Sequence, residues 1–414
     1  MAVPVDPQRV ADIMTSWLGL EVVSCEEEQQ LWAGYGYICS VVAKVSPTGA
    51  VAAEDLKADF VESSRGPQLH LILKLISPPP SSDGDEGHIR KLLSYEVEQK
   101  FYVDVAPRLK EDVAVATCIA STQDMEGKPN AEELRGLTAT LMTDLRPKFP
   151  VAGEKRAELT QTQVQAALEW LAKFHADTSP LVSPSLNRFV LPPLEEMKRR
   201  QSQAEQAGDY LWLNGGYTYL ATRRDQYASL SRRTTSEWCA AFCKPTEGLK
   251  APAAEMAASF LMPQGRAWET LIHGDVKSEN LFSNQSGNQV AFFDFQYVGI
   301  GLGVCDLAKL FTCSVPLALL TGGKPVRREQ AMSEGEKSLL MQYRSILLER
   351  APQLGFAYPW DTLVRHWETA LVDWCRFQAS WGFWGNTNWL QARVRSILKD
   401  PEWKAWVQAE VASS

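Results

Sequence analysis

Between Leu20 and Val45 the apolar and polar residues fall into two strand-like runs, split by Ala33-Gly34-Tyr35-Gly36-Tyr37. The pattern predicts two strands joined by a glycine-containing hairpin turn. A third strand is predicted from Leu69 to Ile76, LHLILKLI, and Lys74 lies inside this mostly apolar run. An ammonium there is costly unless a partner or ligand meets it. The following stretch, SPPPSSDGDEG from Ser77 to Gly87, reads as an exposed, mobile connection. Helical periodicity then returns from His88, with Ile89, Leu92, Leu93, Val97 and Phe101 on one side.

The apolar run LTATLMTDL, Leu137 to Leu145, ends at Arg146-Pro147, where proline disfavours continued regular structure. We place a boundary there, dividing the chain into residues 1–145 and 146–414. Beyond it the period is mainly helical. TQTQVQAALEWLAKFHADT opens on capping candidates and carries Val164, Ala167, Leu168, Leu171 and Phe174 on one face. Glu334 to Arg350 and Trp360 to Trp381 follow the same rule, and no internal repeat is evident.

Composition narrows the possible classes. With 45% apolar and 22% charged residues over 414 positions, the chain has globular composition and a sizeable core. A net charge of -8 argues against nucleic acid as the partner. The first residues lack the basic leader of a secretory or transit signal, and no apolar stretch is long enough to span a bilayer. The eight cysteines form no CxxC pair and suggest thiols in a reducing, cytoplasmic setting. Cys239 and Cys243 stand one helical turn apart but have no nearby histidine to complete a zinc site, so they read as ordinary thiols.

The richest chemistry lies between Leu271 and Phe311. His273-Gly274-Asp275 precedes Asn280, and after the SNQSGN turn the strand VAFF delivers Asp294. Phosphoryl transfer needs such a set: a group that orients a hydroxyl, and oxygen donors that hold magnesium against the phosphates. Asp275 would accept or orient the hydroxyl proton, while Asn280 and Asp294 would hold the metal. Lys277, two residues after Asp275, would point the same way in an extended loop and set a positive charge near the transferred phosphate.

The HGDxxxxN of His273 to Asn280, followed by Asp294-Phe295-Gln296, resembles the aminoglycoside phosphotransferase and choline kinase superfamily, above all its ecdysteroid-kinase-like branch. Lys74, Glu98-Gln-Lys-Phe-Tyr102, LMTDL, LAKFHA from Leu171 to Ala176, and IGLGVCDLAKLF with Asp306 fall in the matching order. The resemblance implies an α+β, two-lobed, protein-kinase-like fold, with a small antiparallel-sheet lobe, a mainly helical lobe and ATP between them. It implies ATP and Mg2+ as cofactors and a small-molecule hydroxyl as acceptor. Lys74 would contact the α- and β-phosphates, positioned by Glu98 or by neighbouring Glu96, with Glu98 preferred for its spacing to Phe101-Tyr102. Gly34 and Gly36 would let backbone amides approach the phosphates, although the chain departs from the commoner GxGxxG. Asp306 would anchor a loop.

Plainer readings stand beside these. His273 and His175 read as structural, holding backbone rather than moving protons. Eight of the fourteen tryptophans lie between Trp360 and Trp406, and most read as helix packing, though some could surround a quaternary ammonium in an acceptor pocket. Asp373 and Arg376, near Trp374, could face that pocket. A protein kinase ranks lower because HGD stands for HRD, DFQ for DFG, and no APE-like segment follows. A pseudokinase is suggested only by the irregular glycine loop. Choline-like amines, sterols, sugars, aminoglycosides and other alcohols all suit the scaffold, and oligomeric state is left open.

Overall fold

The computed structural model describes residues 6–46, 60–61, 66–79, 85–182, 185–202, 208, 210–355 and 358–413. It is an α+β protein whose chain forms two compact units, one from residues up to Arg108 together with Val115–Lys148, the other from Leu109–Ala114 and the chain from Phe149 onward.

The first unit opens with α1 (Pro7–Ser16), started by Asp6, whose side chain accepts from the Gln8 amide, and by proline at the first helical position. Strands β1 (Leu20–Gln30), β2 (Gly36–Val45) and β3 (Gln68–Ile76) follow, then α2 (Glu86–Lys100), β4 (Cys118–Ser121) and β5 (Thr138–Thr143). They form one antiparallel sheet in the order β1-β2-β3-β5-β4. Alternation decides its faces: Leu69, Leu71, Leu73 and Leu75 pack with Val41, Leu141 and the Val10, Ile13 and Met14 side of α1. Lys74 therefore projects from the opposite face, toward α2.

Two expectations need correction here. Gly36 and Tyr37 are not in the turn but begin β2, paired with Ile76 and Leu75. The turn is shorter because the Leu31 amide donates to Gly36 O, and Ala33 and Gly34 both take left-handed backbone angles. The proline-rich connection falls partly on residues 80–84, outside the described residues. Its end is a helix start: Asp85 accepts from the Gly87 amide and begins α2 ahead of His88.

The second unit holds β6 (Val151–Ala152), α3 (Gln161–Thr178), α4 (Pro193–Ser202), α5 (Arg224–Ser231), α6 (Glu237–Cys243) and α7 (Ala253–Leu261). Short strands β7 (Thr270–Ile272), β8 (Leu281–Ser283), β9 (Val290–Phe292) and β10 (Gly299–Gly301) come next. Helices α8 (Gly303–Cys313), α9 (Leu317–Thr321), α10 (Glu334–Arg350), α11 (Trp360–Trp381), α12 (Thr387–Ile397) and α13 (Pro401–Ser413) complete it. Thr160 and Gln163 form a reciprocal capping box at the start of α3. The Leu109–Ala114 segment joins this unit through Asp112, paired with Arg350, and through Ala114 O, which accepts from the Trp170 indole.

Helix α11 is the axis of the larger core. Trp367, Trp389 and Trp403 are fully buried, so packing accounts for them. Glu336 is also fully buried and accepts from the Trp367 indole and from Arg393, so its charge is paired and hydrogen-bonded. Cys239 is a buried thiol that donates to Ser231 O. No helix among the described residues is long and apolar enough to cross a membrane.

His366 is enclosed by the rings of Phe260, Trp268, Tyr358 and Trp406. Burial, helped by the Arg266 charge, pushes its pKa down to about 3. In the unfolded chain it returns to about 6.5, so the unfolded state binds the extra proton between these values. Stability is greatest above the unfolded value and falls as pH drops toward the folded one. Replacing His366 by Phe is expected to flatten the fall in unfolding free energy between about pH 6.5 and pH 3, measured by urea titration at a series of pH values.

Candidate active site

Strand β7 ends at Ile272 and the chain turns at once through His273-Gly274-Asp275. The turn is pinned from below by Asp306, in the first turn of α8, whose carboxylate accepts the His273 amide at 2.7 Å and the Gly274 amide at 2.9 Å. The same carboxylate lies 3.2 Å from His175 Nε2, and His175 Nδ1 lies 2.8 Å from the Tyr343 hydroxyl. Asp306 and His175 are both buried. Burial raises the Asp306 carboxyl, but His175, His273 and Lys309 more than offset it and hold the group below its ordinary value.

Glycine is required at two points of this assembly. Gly274 has φ +86, and a Cβ there would lie 2.3 Å from Tyr297 O and 2.7 Å from the Gly216 nitrogen. A Cβ on Gly303 would lie 2.2 Å from the Tyr343 hydroxyl and 2.7 Å from His175 Nδ1, so any side chain would break the Tyr343–His175–Asp306 chain.

His273 is fully buried, with Nε2 3.0 Å from Phe293 O and Nδ1 accepting the Asp275 amide at 3.2 Å. These contacts fit a neutral imidazole that donates from Nε2. Burial depresses its pKa despite Asp306 and Asp275 nearby, so it is a strut between the two loops.

Asp275, Lys277 and Asn280 meet on one loop. Asn280 Nδ2 donates to Asp275 O at 2.8 Å and to Asp275 Oδ2 at 3.0 Å; Lys277 Nζ is 3.0 Å from the same Oδ2 and 3.4 Å from Glu279 Oε1. Burial works against the Lys277 charge, but Asp275 and then Glu279 raise its pKa above the ordinary lysine value, so it stays an ammonium. With its nitrogen committed to Asp275, the Asn280 amide keeps its oxygen available as a neutral donor to a hard cation. The Asp275 Oδ1 atom has no hydrogen-bond partner among the described residues.

Asp294 follows β9, which pairs with β8 so that the Phe293 amide donates to Asn280 O at 3.0 Å. This ties the end of the Asp294 strand to the Asn280 backbone. Asp294 has φ +66, a left-handed angle that aspartate tolerates better than most residues. Among the described residues no cluster of three or more His, Cys, Asp or Glu side chains could hold a metal. A cation on this loop would rest on the mixed donor set of Asn280 and Asp294, and the orientation of the Asn280 amide fits that use.

In the first unit, Lys74 Nζ is 2.5 Å from Glu98 Oε2, and both side chains are largely buried. Glu96 is exposed, so Glu98 is the partner. The pair lines a small pocket with Tyr95, Gln99, Tyr102, Thr138 and Thr140. At Gly34 (φ +73) a Cβ would meet open space. Gly36 (φ +140) would place a Cβ 2.0 Å from Leu75 O, so the close approach of β2 to β3 alone accounts for glycine there.

Several residues of the assembly carry little sequence signal. Lys309 Nζ donates to Gly274 O, Gly216 packs its backbone on Gly274, and Arg376 is buried and paired with Asp373. Asp373, Trp374, Lys309, Asn214, Thr218 and Tyr219 line a pocket beside the turn. Asp306 is legible through the family resemblance of the IGLGVCDLAKLF run, whereas that resemblance assigns no role to Lys309 or Gly216.

The chain belongs to the ecdysteroid kinase-like family, which matches it across residues 50–323. No curated protein matches it. Among solved structures it is similar to macrolide 2'-phosphotransferase from Brachybacterium faecium, at 10% identity and TM-score 0.40 over 98% of each chain. It is also similar to an aminoglycoside phosphotransferase from Alicyclobacillus acidocaldarius, at 14% identity and TM-score 0.38 over 100% of this chain and 97% of the other.

Asp306→Asn replaces one accepting oxygen by a donor that faces N–H groups. It is expected to lower unfolding free energy by roughly 2–4 kcal/mol. Denaturant titration gives that value, and faster hydrogen exchange at the Gly274 amide shows whether the loss is at the turn.

Proposed function

We propose that this chain is an ATP- and magnesium-dependent phosphotransferase that moves the γ-phosphate onto a hydroxyl of a small molecule. The observation that carries the reading is the Asp275–Lys277–Asn280 contact set beside the Asp294 strand end, in a chain of the ecdysteroid kinase-like family. In the reaction the acceptor oxygen bonds to γ-phosphorus, the bond from that phosphorus to the bridging oxygen breaks, and ADP leaves. Asp275 Oδ1 takes or orients the hydroxyl proton, while Oδ2 stays held by Asn280 and Lys277.

Lys277 sets its charge near the transferred phosphoryl oxygens, and Asn280 and Asp294 are the residues that would hold magnesium. When bound, that ion supplies positive charge against the phosphate oxygens. Lys74, held by Glu98, would meet the α- and β-phosphates, and the Gly34 turn would offer backbone amides. The structural roles of His273, His175 and Asp306 support the same reading, since each fixes the loop that carries Asp275 and none is needed to move a proton.

A screen of alcohols for ATP consumption, with Asp275→Asn as the blank, tests the reaction. Asp275→Asn and Asp294→Asn are each expected to cut turnover by about a thousandfold with the circular-dichroism spectrum unchanged. Undiminished turnover in both would overturn the mechanism, and labelled phosphate recovered in protein would point to a protein kinase instead. Chelation by EDTA is expected to abolish transfer and added Mg2+ to restore it, read as ADP release.

A further inference from the structure

A row of aromatic side chains leads away from the catalytic turn within the second unit. It begins at Tyr297, three residues after Asp294, which stacks on Tyr217 with ring centres 5.7 Å apart and planes at 25°. The start of the row is fixed at the turn: the Gly216 amide donates to Tyr297 O at 2.9 Å, and Gly216 packs on Gly274. Beyond Tyr217 the row surrounds a cation. The Arg223 guanidinium lies 4.3 Å from the Tyr217 ring centre, 4.9 Å from Trp381 and 5.4 Å from Phe377. Its Nε donates to Tyr217 O at 3.0 Å, and Phe377 stacks in turn on Trp374, which lines the pocket beside the turn.

Three rings around one positive centre are the arrangement by which proteins hold quaternary ammonium groups, through the negative faces of the rings. Trp381 is 58% exposed, so the box opens to solvent on that side. Here the chain's own guanidinium fills it. A cationic alcohol drawn to these rings would have to displace Arg223 or lie against a like charge, and either cancels the attraction.

We propose that Arg223 is a specificity-determining residue of the acceptor side: as the resident cation of the Tyr217–Phe377–Trp381 box, it shuts out quaternary ammonium alcohols and admits acceptors without a positive charge. The word acceptor rests on the phosphotransfer reading; the charge preference of the box does not. The Asp373–Arg376 pair, with both arginine bonds on Asp373 Oδ1, points the same way, because that carboxylate is already partly neutralised.

The test uses the full chain, tetramethylammonium as the binding probe and choline as the alcohol, at constant ionic strength. Tryptophan fluorescence is expected to show no saturable binding to the wild type. Arg223→Ala and Arg223→Gln should both bind the probe at least about tenfold more tightly than any wild-type limit. The glutamine variant gives the answer if the alanine variant loses its circular-dichroism spectrum. Saturable binding to the wild type, or no gain in the folded variant, overturns the proposal. Choline-dependent ADP release is expected to rise at least about fivefold in the same variants. A gain in binding without that rise, in preparations that consume ATP with another alcohol, overturns the acceptor-side assignment. If no preparation consumes ATP with any alcohol, the phosphotransfer reading fails and the probe result still decides the box.

Discussion

A carboxylate with almost no water around it needs every lone pair answered, and Asp306 is such a group. Two consecutive backbone amides, His273 and Gly274, answer on one side and His175 on another. Each answer constrains something else. His175 must keep its ring edge on Tyr343, which leaves no room for a Cβ at Gly303, and Gly274 must take a left-handed angle that only glycine can hold against Tyr297 O. The geometry of Asp275 follows from this buried charge, separated from it in the chain by three short strands, more than from its own surroundings.

The first unit solves a related problem with fewer parts. A lysine on the second face of a sheet whose first face is packed with leucines meets a carboxylate there, and Glu98 supplies it from α2. Tyr35 anchors the tip of the hairpin on the same helix: it is buried, its hydroxyl lies 2.6 Å from His88 Nδ1, and Lys91 stands over its ring. Two glycines serve this closure as backbone, Gly34 in the turn by its left-handed angle and Gly36 at the start of β2 by its approach to Leu75.

What was legible in the sequence was what local spacing encodes. The Asp275-x-Lys277-x-x-Asn280 loop is short, and its members touch because a few residues cannot separate them; strand period put Lys74 apart from its leucine neighbours. Elements with weak local pattern were not read. Strand β4 has only four residues, and the ten residues of α1 form too short a periodic run to stand out at the chain's start. The hairpin turn is shorter than its glycines suggest, because Gly36 looks like turn chemistry while its reason is a close strand approach. Lys309 looks like any lysine on a helix until Gly274 O is found above it, and the Arg223 box joins residues more than one hundred positions apart. No period or motif carries such a contact.

The Leu109–Ala114 segment, threaded through the helical unit between two stretches of the sheet unit, bears on how the protein can be divided. A single cut near residue 148 would give a C-terminal fragment that has lost the carboxylate of Asp112, leaving Arg350 with Asp177 alone, and the carbonyl that receives the Trp170 indole. The covalent order of the chain therefore differs from its physical partition. A nascent polypeptide must keep six residues in reserve until α3 and α10 have emerged, and shuffling by recombination at one crossover would always part either that strap or residues 115–148 from the unit each belongs to.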